Sequence, residues 1–91
     1  MFYLVSYDIP DDRRRTRIAK ILKDFGNRVQ KSVFECLLEK REFNRLVERL
    51  EKSIDEKEDS VRIYELCSEC QEKVAVIGQG TVTKDDDVYI I

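Results

Sequence analysis

Asp8 closes the run "FYLVSYD" and is followed, within nine residues, by Arg13, Arg14, Arg15 and Arg17. A carboxylate in that setting can start a helix, or it can hold a hard cation such as Mg²⁺ or Mn²⁺, whose preferred ligands are oxygens. Arginine forks meet phosphate oxygens through two hydrogen bonds, and arginines at a helix start oppose its dipole. Something anionic is therefore the partner that this composition suits. The chain contains no histidine, which excludes Ser-His-Asp and Cys-His sites, an imidazole base and His-bearing zinc sites. Any hydrolysis must rest on carboxylates, a cation-activated water, a tyrosine or a lysine.

One aspartate makes a poor Mg²⁺ site, because the ion takes octahedral oxygen coordination and usually one or two carboxylates. A twofold axis near Asp8 would bring a second carboxylate from another copy. Tyr7 and Phe34 could stack on bases or fill the core. Cys67 and Cys70 form a single CxxC without a second pair. A connecting turn is the expectation there, with a disulfide or an intersubunit metal as alternatives. Asp85, Asp86 and Asp87 suggest a solvated turn more than a metal site.

The elements that must position these residues follow from periodicity. "MFYLVSYDI" alternates two largely apolar sets, which predicts a central strand covered on both faces, with Asp8 at its C-terminal end. Pro10 stops the ladder, and Asp11 or Asp12 can cap a helix over 11–25, whose apolar stripe is Ile18, Ile21, Leu22 and Phe25. Gly26 and Asn27 tolerate the left-handed backbone that closes a helix. "RVQKSVFECLL" reads as one long strand or two short ones bent near Lys31 and Ser32. Phe43, Leu46, Val47, Leu50 and Ile54 share one face of a second helix. "SVRIYEL" and "KVAVIG" predict two further strands joined by "CSECQE", and "VYII" is too apolar to be left in solvent.

This order predicts a ferredoxin-like α+β domain over 1–78, two helices on one face of a single sheet, and a tail over 79–91. The uncovered sheet face predicts a homodimer, with "VYII" adding to the partner's sheet edge. A chain of 91 residues has room for one core only. Its net charge of −2 hides an asymmetry. Residues 1–38 carry eight basic against five acidic side chains, and 39–91 carry nine against fourteen. The basic cluster between Arg13 and Lys31 leaves room for nucleic acid. No apolar stretch is long enough for a membrane span, and three cysteines suit a reducing compartment, so a cytoplasmic location is expected.

"YDIPDDRRRTRIAKIL", "RVQKSVFECLL", "DSVRIYELC" with Cys70, and "VAVIG" together resemble the small CRISPR-associated protein two family, companion of the CRISPR integrase. The likeness covers about residues 1–78. It implies a ferredoxin-like homodimer with Asp8 of each chain near the twofold axis. It further implies an Mg²⁺-dependent endonuclease acting on RNA or DNA, and a bridge between integrase dimers during spacer acquisition. By motif position the metal-binding aspartate is Asp8, preceded by Tyr7, while Arg15, Arg17, Arg28, Ser32 and Phe34 surround the cleft. Arg13 and Arg14 belong with them as basic contacts to the backbone. A non-catalytic DNA-binding scaffold is the competing expectation.

Overall fold

The computed structural model describes residues 1–83; the expectations for Asp85–Asp87 and for "VYII" lie outside the described residues. Strand β1 spans Phe2–Asp8. Tyr3, Val5 and Tyr7, with Ile9 beyond the strand, point into the core and are each 4% exposed or less. Asp11 adopts an extended backbone, and its carboxylate accepts the Arg14 N–H at 2.9 Å, starting helix α1 over Asp12–Lys23. Of the two candidates, Asp11 and Asp12, capping thus falls to Asp11, which leaves Asp8 uncommitted to it.

Strands β2, Asn27–Gln30, and β3, Val33–Leu37, flank a turn at Lys31 and Ser32. Of the two readings of "RVQKSVFECLL", the bent pair is the one that forms. Helix α2 covers Lys40–Ser53 behind a capping box between Glu39 and Glu42, and β4 covers Ser60–Leu66. The strands lie in the order β2-β3-β1-β4, with every neighbouring pair antiparallel. Ile18 and Leu22 of α1 and Leu46 and Leu50 of α2 join one cluster with Tyr3, Val5 and Phe34. Both helices therefore cover the same sheet face, giving the ferredoxin-like βαββαβ plan. Truncating the fully buried Leu22 or Leu46 to Ala would cost about 2–5 kcal/mol, a large share of the ~5–15 kcal/mol that holds a small domain.

Two local expectations are corrected. Gly26 does not close α1 through a left-handed backbone: among the described residues only Gly78 and Gly80 have positive φ. A Cβ at Gly26 would instead overlap the Glu35 carbonyl oxygen and the Cys36 sulfur. The glycine is required by close approach of the α1 exit to β3. "KVAVIG" forms no strand, because "CSECQE" winds into a short helix α3, Ser68–Glu72, and residues 74–77 are irregular. Val76 and Ile77 are 45% and 98% exposed. Among the described residues this segment has no strand beside it to complete a ladder.

The sheet face away from the helices carries Leu4, Val33, Leu37 and Leu66, all half-buried, and Tyr64, 49% exposed. An apolar face of this kind is unusual on a monomer.

Candidate nucleic-acid and metal site

Asp8 is fixed from both sides of its strand. It pairs with Ser60 of β4 in the register, and the adjoining Tyr7 N–H donates to the Ser32 carbonyl at 3.0 Å. Its own side chain is exposed. It borders an open groove of about 630 Å³ between α1 and the β2–β3 turn. Arg15, Lys20, Lys23, Arg28 and Lys31 line this groove, so among the described residues five cations face a single carboxylate. Such a concentration of one sign raises the local level of a polyanion and speeds its capture.

Arg15 holds the loop after Asp8. Its Nη1 donates to the Ile9 carbonyl at 3.0 Å and to the Pro10 carbonyl at 3.4 Å, while Nη2 pairs with the Asp12 carboxylate. Arg28 is held by two aromatic groups. Nη2 donates to the Tyr7 hydroxyl at 3.2 Å, and the guanidinium lies 5.4 Å from the centre of the Phe34 ring. The Tyr7 hydroxyl in turn donates to the Lys31 carbonyl at 3.3 Å. Tyr7 thereby ties Arg28 to the turn that carries Lys31 and Ser32, both of which line the groove.

Phe34 is fully buried and Tyr7 is 4% exposed. The expectation that Phe34 contacts nucleic acid is corrected: its ring supports Arg28 from below and offers no face to a base. Tyr7 likewise presents its hydroxyl edge and not its ring.

Arg14 points the other way. Its Nε and Nη2 make a two-point pair with Asp59 at 2.7 and 3.0 Å, and Nη2 also reaches Glu58 at 3.1 Å. The Asp59 side chain is fully buried. It also accepts the Asp55 N–H at 2.8 Å. These bonds, the Arg14 fork foremost, hold the Asp59 carboxyl below the usual carboxylate range and keep Arg14 charged. Arg14 was expected to meet a phosphate backbone; its fork is occupied within the chain instead, clasping α1 to the start of β4. Arg13 and Arg17 are exposed and lie outside the groove lining, and their side chains make no hydrogen bond to the described residues.

Lys20, Lys23, Lys31 and Asp59 are the residues that sequence reading missed. For the first two the signal was present: positions 15, 16, 19, 20 and 23 share one helical face. For Asp59 there was none, since "DEKED" reads as a polar turn. Cys67 and Cys70 are free and exposed. They sit at the start of α3, where the Cys70 N–H donates to the Cys67 sulfur at 3.4 Å and draws the Cys67 thiol below its ordinary range.

Residues 1–74 match the family described as CRISPR associated protein Cas2. A CRISPR-associated endoribonuclease Cas2 from Chloroflexus aurantiacus is 48% identical, with all of both chains covered. The crystal structure of Streptococcus pyogenes Cas2 at pH 6.5 superimposes with a TM-score of 0.76 at 41% identity, covering 86% of this chain and all of that one. A chain of a partial Cas6-RT-Cas1–Cas2 complex gives a TM-score of 0.65 at 28% identity, covering 84% of this chain and 89% of that one. Sequence, strand order and the site-bearing elements agree in one assignment: the chain belongs to the CRISPR-associated Cas2 family.

Proposed function

We propose that this protein is a divalent-metal-dependent endonuclease that hydrolyses phosphodiester bonds in RNA or DNA, acting in the cytoplasm as a homodimer alongside a CRISPR integrase during spacer acquisition. The observation that carries the reading is the exposed Asp8 at a strand end, the sole carboxylate among the described residues that line a groove with five cations. The endoribonuclease name of the Chloroflexus relative supports it.

The donor chemistry fits Mg²⁺ or Mn²⁺, because Asp8 offers hard oxygens. It fits as half a site: among the described residues no three acidic or sulfur side chains group around a metal. Asp8 of a second copy would complete it. The apolar sheet face with Leu4, Val33 and Tyr64 supports such a dimer, as does the unpaired segment 74–77.

Within that dimer Asp8 would hold the cation, whose chemistry is to polarise a phosphoryl oxygen and ease deprotonation of water. Arg28 neutralises the phosphate beside it, held in place by the Tyr7 hydroxyl and the Phe34 ring. Arg15 and Ser32 shape the groove mouth on either side of Asp8. Phosphate contacts of this kind position a backbone without reading its bases.

Asp8→Asn is expected to reduce Mg²⁺-dependent cleavage by at least ~10²-fold while melting temperature and dimer mass stay as in wild type. Undiminished cleavage by that variant would reject the reading. The scaffold reading has its own observation: Arg13 and Arg17 lie outside the groove, and one structural relative comes from a complex that also contains Cas1. Normal spacer acquisition by Asp8→Asn, together with its loss in the Arg13→Ala/Arg17→Ala variant, would favour it.

A further inference from the structure

We propose that Lys20, Lys23 and Lys31 form a lane that carries the phosphates of a single strand leading away from Asp8. The proposal rests on the nuclease reading only for which phosphate sits at Asp8. β1 and β2 both run antiparallel to β3, hence parallel to each other. The β2–β3 turn therefore lies beside the end of β1, as the Tyr7–Ser32 hydrogen bond confirms at 3.0 Å. Lys31 stands at that end, Arg28 further back, and α1 forms the facing wall.

Along this wall Arg15, Ala19 and Lys23 succeed one another at four-residue spacing, with Lys20 beside them. From Arg15 to Lys23 the helix rises ~12 Å at ~1.5 Å per residue. A strand with stacked bases advances ~3.4 Å per charge, so the lane spans about three phosphates. The helix dipole accounts for Lys20 and Lys23 in the last turn of α1. It does not account for Lys31, which comes from another element and faces the same groove. All three lysines are exposed, and none makes a salt bridge to a described residue.

Lysine ammonium groups act as point charges on phosphate. Because the rings of Tyr7 and Phe34 are buried, neither serves as a stacking platform, and the described residues of the lane hold the backbone with bases outward.

The test is binding of labelled oligouridylate, oligothymidylate and a blunt DNA duplex across a salt series, with wild type, Asp8→Asn and the Lys20→Gln/Lys23→Gln/Lys31→Gln variant. A second variant, Lys40→Gln/Lys52→Gln/Lys57→Gln, removes equal charge elsewhere, and melting curves verify folding of each. For single strands the slope of log affinity against log salt should fall by about two in the lane variant and stay unchanged in the second. An unchanged slope in the lane variant would overturn the proposal. So would an equal loss on the duplex, or a loss confined to one of the two single-stranded polymers, since phosphate is common to both. If the lane variant shows the expected slope change while wild type cleaves nothing, the lane stands and the nuclease reading falls.

Discussion

Arg14 and Arg15 are neighbours in sequence and opposites in the fold. Arg14 turns to the buried Asp59 and closes a clasp between α1 and β4. Arg15 turns about one third of a revolution away, onto the groove side, where cations outnumber carboxylates. In the clasp every charge is answered inside the chain. In the groove the excess positive charge is left for a ligand. The clasp also serves the groove, because Asp59 directly precedes Ser60, the β4 residue that pairs with Asp8. Charge in one region fixes the geometry that the other region uses.

Breaking the clasp should have the largest effect on stability. Arg14→Met leaves the buried Asp59 carboxylate without its fork, and a fall in melting temperature of at least about 5 °C is expected by calorimetry. The same change should leave the salt dependence of single-strand binding close to wild type. A large loss of slope would show that Arg14 belongs with the groove after all.

The next effect sharpens the other side. Arg28→Ala removes a groove cation together with its bond to Tyr7 and its seat on Phe34, and about a tenfold weaker affinity for single strands is expected. Melting should change little, since Arg28 is exposed.

Acid should separate the two regions again. The folded-state carboxyl of Asp59 lies below its ordinary range, held there chiefly by Arg14. Its contribution is therefore present above the unfolded value, ~3.9, and is lost as pH falls through the folded value. Asp59→Asn should melt lower than wild type at neutral pH, and the gap between them should narrow below about pH 4. A constant gap from pH 7 to pH 3 would contradict the clasp.

The smallest effect concerns Tyr7. Its hydroxyl is bound to the Lys31 carbonyl and to Arg28, so Tyr7→Phe should loosen Arg28 and slow cleavage by only a few fold, with KM rising more than kcat falls. A drop of ~10² or more in kcat would instead make the hydroxyl a participant in proton transfer.

Much of the fold was legible because periodicity reports burial directly. The alternation in "FYLVSYD" and the helical spacing of Phe43, Leu46, Leu50 and Ile54 each describe a surface that must be covered, whatever covers it. The strand expected at "KVAVIG" failed for the complementary reason. Strand propensity states what a segment can pair as, and pairing needs a neighbour that the described residues do not provide there. Gly26 shows the same limit, since its requirement comes from Glu35 and Cys36 approaching across the sheet.

The site divides along that line too. Residue types alone determined that no imidazole chemistry is possible, that hard-cation and phosphate chemistry is, and that Asp8 ends a buried strand while Asp11 or Asp12 starts the next helix. Which arginine faces which side was decided only by the tertiary structure. A helix turns ~100° per residue, so adjacent identical side chains meet different neighbours. Asp59, Tyr7 and Lys31, brought in by β4, β1 and the β2–β3 turn, determine whether each charge is answered within the chain or left open to a strand.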